Sequence, residues 1–283
     1  LSDKQTHSGH IAAVVVSDES AATLEACLQH LREASDVCQI RVIDNDSKDG
    51  SQEIIQRQAL SDFRLRFIIN PNNPGFAAAR NQGAKASNAP WLAFIHPDLR
   101  VEMDTLARLR ELGESLGDCV LGVEQVDEHG VLDSSIRQCD PDFRAILRHP
   151  FRTTFIARDG DKAVQFVPAL SGGVVLMPRH LFERLNGWDE TYHGQVANLD
   201  LCRRARETGA IVAIANRLKV VRLNEIPSRL HSFAVQWHQH WDLWRYFCTF
   251  QAQPHSLLVR MTVAAAISAR GMMAFTRALL LRF

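Results

Sequence analysis

Four polar clusters in this chain carry side chains suited to binding chemistry, and each stands beside a short apolar run. The first, Ser17-Asp18-Glu19-Ser20, follows the run at 11–16, and the second, Asp44-Asn45-Asp46-Ser47-Lys48-Asp49-Gly50-Ser51, follows 40–43. The carboxylates of the second can accept hydrogen bonds from nucleobase N–H groups or ribose hydroxyls. In the third, at 70–81, Gly75 opens a helix so that backbone N–H groups can approach an anion, and Arg80 adds a fixed positive charge beside Asn81. The fourth, His96-Pro97-Asp98, ends the run at 91–95. Taken singly, the second and third clusters read more readily as an Asp-rich turn and a capped helix, and it is their order and joint presence that favour binding.

The elements that hold these clusters follow from periodicity. Apolar runs at 11–16, 40–43, 65–69 and 91–95 predict strands, and the intervening stretches repeat apolar residues at helical spacing, as Leu24, Cys27, Leu28 and Leu31 do. Strands of continuous apolar character alternating with helices predict an α/β fold with a mainly parallel sheet covered on both faces. Ligands of such sheets sit beyond the carboxyl ends of the strands, where Ser17, Asp44 and His96 fall. A strand is expected at 119–124, within a less regular segment at 118–166. A further strand is expected at 174–177, and helices at 180–185, 199–208, 228–250 and 255–283.

Taken in order, the clusters resemble the family 2 glycosyltransferases, over residues 11–223. In that family the first strand ends at the nucleotide, an Asp in a "VDNxSxDGS" turn contacts base or ribose, and an "NxGFxxARN" segment frames the donor. Ser17, Asp44, Asp46, Asp49, Gly75, Arg80 and Asn81 occupy the matching positions. The resemblance implies a GT-A fold over 1–223 with a helical extension at 224–283. It also implies a nucleoside-diphosphate sugar as donor and a glycan or lipid-linked molecule as acceptor. Asp98 matches the last position of the family's DxD-type site, where an Asp holds Mg2+ or Mn2+ against the diphosphate and neutralises charge on the leaving group. His96 replaces the first Asp of that site, and a structural role for it is equally open.

A second stretch resembles the family's acceptor side. Gly172 and Gly173, Asp189 and Glu190, then Asn198 and the helix closed by Gly209, fall on its pattern. Where relatives carry Glu-Asp, this chain has Ala197-Asn198, and that Asp is the family's usual base for an inverting transfer. An amide cannot take the acceptor proton. Asp200 is the nearest substitute as catalytic base, although residues two apart at a helix start point about 200° apart. A first-turn acid favouring the helix dipole is the other reading of Asp200. Asp189, Glu190 and His193 are further candidates. Arg222 stands where many relatives carry a His, and a guanidinium cannot ligate a metal but can pair with phosphate. Two readings result: an inverting transferase for a bacterial-type surface polysaccharide, with the rhamnosyltransferase-like subgroup left open, or a catalytically degenerate nucleotide-sugar-binding protein or assembly partner.

Composition bounds the rest. The 283 residues are 46% hydrophobic, enough for a substantial core, and 32 basic residues balance 32 acidic ones, which implies no nucleic-acid partner. Six scattered cysteines without metal-type spacing read as reduced thiols, and residues 1–10 lack the basic and apolar blocks of a secretory signal, so a cytoplasmic location is expected. The apolar tail at 257–283 is interrupted by Arg260, Arg270, Arg277 and Arg282, which predicts an amphipathic helix. That helix suits peripheral membrane contact on the inner face, or packing on the core or a second copy. The aromatic stretch carrying Trp237, Trp241, Trp244, Tyr246 and Phe247 is expected in the core.

Overall fold

The computed structural model describes residues 9–141, 143, 155–223, 233–253 and 255–280. The amino-terminal half runs β1 (Ile11–Ser17), α1 (Ala21–Glu33), β2 (Val37–Asn45), α2 (Ser51–Ser61), β3 (Leu65–Asn70), α3 (Phe76–Lys85) and β4 (Trp91–Ile95). There follow β5 (Leu99–Val101), α4 (Thr105–Leu116), β6 (Cys119–Val126), β7 (Arg137–Gln138), β8 (Val164–Phe166) and β9 (Ala169–Leu170). The chain continues with β10 (Val174–Pro178), α5 (Arg179–Arg184), α6 (Val196–Glu207), β11 (Ile211–Arg222), α7 (Phe233–Phe250) and α8 (Leu257–Leu280).

The main sheet has the order β3-β2-β1-β4-β10-β6-β11-β5, with β8 also paired to β11. The pairs among β1 to β4 and the β6–β11 pair are parallel, whereas β10, β5 and β8 run antiparallel to their neighbours. Alternate residues of β1 feed two cores: Ala12 and Val14 face one, Ile11, Ala13 and Val15 the other. That division is why the strand reads as an unbroken apolar run, and burying each Val or Ile of this kind contributes about 1.5–3 kcal/mol. On α1 the expected stripe, Leu24, Cys27, Leu28 and Leu31, is wholly buried.

The carboxyl edge of the sheet assembles the polar clusters. Ser17 pairs in register with Asp44, and Val15 with Ile95, so the turns after β1, β2 and β4 lie side by side. Because β10 enters antiparallel at Val174 beside Ile95, Gly173 reaches the same edge, where its carbonyl accepts from the His96 N–H at 2.9 Å. The β5–β11 pair sets Arg222 opposite Leu99, next to Asp98.

Several elements depart from the sequence expectation. Helix α6 starts at Val196 rather than 199, which puts Asn198 in its first turn and Asp200 beyond it, so the expectation of Asp200 as a first-turn acid on the helix dipole does not hold. The strand expected at 119–124 extends to Val126, and β5 and α4 fill a stretch for which no element was expected. Tyr246, Phe247, Val263 and Ile267 share one core with β10 and α6, so the helical extension packs into the sheet domain. Trp241, expected in the core, is instead 55% exposed. Residues 224–232, among them His231, and the side chains of Trp237, His238, Arg270, Arg277 and Arg282 lie outside the described set, and the amphipathic-sector expectation rests on three of those arginines. No helix of the described residues is long and apolar enough to cross a membrane.

Candidate active site

At the end of β2, Asp44 is fully buried; its Oδ2 accepts from the Ser47 N–H and the Gln52 side-chain amide, each at 3.0 Å. Its Oδ1 has no hydrogen-bond partner among the described residues, and neither does the buried hydroxyl of Ser17 beside it. Two buried oxygens left open at a sheet edge are costly unless a polar ligand or water completes them. Asp46 holds a left-handed backbone (φ 62°) and pairs with Lys48 at 2.5 Å. Asp49 is occupied otherwise: it accepts from the Ala21 N–H at 2.8 Å and from Ser51, joining the starts of α1 and α2. Burial would raise its carboxyl, but those bonds hold it below the usual carboxylate range.

The loop before α3 is fixed by an amide ladder in which Asn70 donates to Asn45, Asn45 to Asn73, and Asn73 to Asp18. Gly75 takes φ 92°, a conformation glycine tolerates, and α3 begins at the next residue. From α3, Arg80 donates to the Asn198 side-chain oxygen at 2.8 Å and to the Gly172 carbonyl at 3.0 Å, with its guanidinium 5.0 Å from the Trp188 ring centre. Burial pulls Arg80 down to about 10, still cationic at neutral pH. A Cβ at Gly172 would meet the Asn198 amide nitrogen at 2.5 Å and an Arg80 guanidinium nitrogen at 2.9 Å, so a side chain there would have to displace one or both. Asn81 exchanges hydrogen bonds with the Trp188 backbone and donates to Glu190 at 2.8 Å.

Asn198 and Asp200 face different partners, as the helical spacing predicted. Asp200 pairs with Arg204 at 2.6 Å, and Arg204 also ties down the Leu185 and Gly187 carbonyls. Burial pushes the Asp200 carboxyl up by more than Arg204 pulls it down. Asp189 turns back on Thr191 and lies 4.0 Å from Arg245. Nearby, the His193 side chain is 47% exposed, and its Nδ1 is 3.6 Å from the buried carboxylate of Asp242. The other oxygen of Asp242 accepts from the His193 and Gly194 N–H groups.

Asp98 is 4% exposed and meets two basic side chains: His96 Nδ1 lies 2.6 Å from Oδ1, and Arg222 Nε 3.1 Å from Oδ2. Burial alone would raise this carboxyl, but the His96 bond and the charges of His96 and Arg222 hold it low. Arg222 Nη1 reaches Asp133 at 3.3 Å. No group of three or more His, Cys, Asp or Glu that could hold a metal occurs among the described residues. Asp98 Oδ1 is engaged by His96, while Oδ2, which makes no hydrogen bond among the described residues, stands against the Arg222 guanidinium, so a divalent ion on it would have to displace that cation.

The structure thus brings Ser17 and Asp44 together, Arg80, Gly172 and Asn198 together, and His96, Asp98 and Gly173 together, while Asp200 turns towards Arg204. Sequence reasoning missed Asp133, which carried no signal, and Asp242, whose signal was a lone acid in the aromatic stretch at 237–250.

A mainly parallel sheet flanked by helices, with its polar clusters on the carboxyl edge, is the architecture of the GT-A glycosyltransferases. The chain superposes on the mannosyltransferase PcManGT of Pyrobaculum calidifontis, solved with GDP-Man and Mn2+, at a TM-score of 0.60 and 16% identity, covering 96% of this chain and 73% of that one. Residues 12–166 match the model of glycosyl transferase family 2, and the chain belongs to that family. It is 30% identical over 132 residues to EpsH of Bacillus subtilis, named as a glycosyltransferase, covering 45% of this chain and 38% of EpsH. To the succinoglycan biosynthesis protein ExoO of Rhizobium meliloti it is 27% identical over 128 residues, 45% of this chain and 36% of ExoO. The chain therefore spans well under half the length of these two relatives.

Proposed function

We propose that this protein transfers a sugar, with inversion, from a nucleoside-diphosphate sugar to a glycan or lipid-linked acceptor in polysaccharide biosynthesis. The observation that carries the reading is the pair of buried oxygens, Ser17 Oγ and Asp44 Oδ1, that have no partner among the described residues, at the carboxyl edge of a family 2 sheet. In this reading residues 1–223 form the transferase domain. Asp44, Asp46 and Ser17 hold the nucleoside, Gly75, Arg80, Asn81 and His96 frame the donor, and Gly172, Gly173, Asp189, Glu190 and Asn198 line the acceptor side. Charge on the leaving diphosphate is met beside Asp98, either by Mg2+ or Mn2+ or by the cations of the protein itself. For the base, Asp200 is tied to Arg204, and His193, backed by Asp242, is the more accessible proton acceptor. Exposed Leu257, Leu258 and Met261 on α8 support a peripheral position on the cytoplasmic face of a membrane, where a lipid-linked acceptor would be met.

The amide at 198 favours a second reading, a nucleotide-sugar binder without turnover. Incubating the full chain with a panel of nucleoside-diphosphate sugars and an acceptor extract separates the two. Release of free nucleoside diphosphate that depends on both donor and acceptor is expected. Tight donor binding with no release under any pairing would leave only the binder.

A further inference from the structure

The cation that meets the donor diphosphate is built into the chain. We infer that Arg222, held by Asp98 and Asp133, binds the donor's diphosphate directly, so that nucleoside-diphosphate binding needs no divalent metal ion. The inference rests on the nucleotide-sugar reading above and names the group that serves its diphosphate.

Three observations converge. The β5–β11 pair and the bond from the Leu223 N–H to the Asp98 carbonyl, 2.8 Å, fix the end of β11 against the Asp98 turn. The guanidinium is thereby set 3.1 Å from the one carboxylate that would otherwise take a metal, and a divalent ion on that Oδ2 would stand against a fixed positive charge. Nε of Arg222 and Oδ2 of Asp98 are buried yet not aligned as a hydrogen bond, so the contact is a charge pair at the floor of the site.

The guanidinium also keeps binding capacity. Arg222 is 31% exposed, and among the described residues its contacts use Nε and Nη1 alone. The Nη1–Nη2 fork suits two phosphate oxygens at once, which a lysine or histidine cannot match. A diphosphate arriving at this fork would take Nη1 from Asp133, whose 3.3 Å contact is the longer of the two, while Asp98 keeps Nε and the orientation. Positive charge already in place at a leaving diphosphate needs no reorganisation when the bond to the sugar breaks. His96, on the other oxygen of Asp98 and stacked 6.3 Å from Phe76, borders the same spot.

Calorimetric titration of the full chain with UDP and GDP, and with uridine and guanosine as phosphate-free controls, tests this in EDTA and in MnCl2. The expected result is diphosphate affinity that agrees within about twofold between the two conditions. Arg222→Ala should weaken it about tenfold or more while leaving nucleoside affinity unchanged. Arg222→Lys, which preserves the charge and guards against a folding artefact, should retain part of the affinity. Arg222→His should recover binding only in MnCl2. Wild-type affinity that collapses in EDTA, or an Arg222→Ala variant that binds like wild type, overturns the inference alone. Failure of both diphosphates and both nucleosides to bind in either condition overturns it together with the nucleotide-sugar reading.

Discussion

Arg80 and Asn198, 118 residues apart, are joined side chain to side chain at 2.8 Å, and the pair carries one full charge where a carboxylate partner would give two. Among the described residues every partner of this buried guanidinium is neutral: an amide oxygen, a backbone carbonyl and the face of an indole. Restoring a carboxylate with Asn198→Asp supplies the missing counter-charge at hydrogen-bond distance. The variant should gain about 1 kcal/mol at neutral pH by chemical denaturation, because the attraction between the two charges exceeds only modestly the cost of burying the new carboxylate. It should lose the gain in acid as the new carboxylate protonates. Donor turnover should rise if the base was limiting. A variant no more stable and no faster than wild type would mean that Arg80 is already fully compensated.

Asp44 and Ser17 each contribute a buried oxygen that the described residues leave open. Asp44→Asn keeps the shape and can still accept from Ser47, but it replaces an acceptor-only group with one that also donates. Nucleoside affinity should fall about tenfold, about 1.4 kcal/mol, with little change in melting temperature. Ser17→Ala removes a hydroxyl without a partner among the described residues, so stability should hold while affinity drops by a smaller factor. Equal losses of stability and affinity in both variants would assign these oxygens to the fold instead.

The elements that position this half were legible because their signals are local. The β1 and β4 runs, the Leu24 to Leu31 stripe and the turns at Ser17, Asp44 and His96 are each read within a dozen residues. What escaped depends on register between distant strands. Arg222 meets Asp98 only because β11 pairs antiparallel with the three-residue β5, too short for a periodic signal. Asp49 stood in the family-like turn with Asp44 and Asp46, yet the Ala21 N–H at the start of α1 claims it. The opposed directions of Asn198 and Asp200 were predictable from helical geometry. That Asp200 would be claimed by Arg204 was visible only as an i,i+4 spacing, which many surface pairs share.

On α8, Leu257, Leu258 and Met261 are each more than 60% exposed near the start of the helix. If they rest on a membrane, the full chain should float with anionic phospholipid vesicles, and Leu257→Ser with Leu258→Ser should reduce the bound fraction several-fold without unfolding the protein. Flotation that is equal for both proteins, or absent, would leave these side chains to a protein contact.

Asp242 offers a case in which stability and activity should part. Its carboxyl is pushed up by burial, and the bonds from Gly194 and His193 offset only part of the rise. A carboxyl raised above its unfolded value near 3.9 favours the folded state most when protonated, so its contribution fades as pH climbs from that value through the raised one. At neutral pH the buried charge is therefore a cost. Asp242→Asn can still accept from both N–H groups through its amide oxygen while removing that charge. The variant should match or exceed wild type by about 1 kcal/mol at pH 7, with the advantage vanishing at pH 3. If the carboxylate also supports His193 as the proton acceptor, the same variant should lose about tenfold or more in transfer, with His193→Gln losing as much and Asp200→Asn losing little. The reverse pattern, in which Asp200→Asn is inactive and both His193→Gln and Asp242→Asn are normal, would return the base to Asp200 and leave Asp242 a buried cap on the loop before α6.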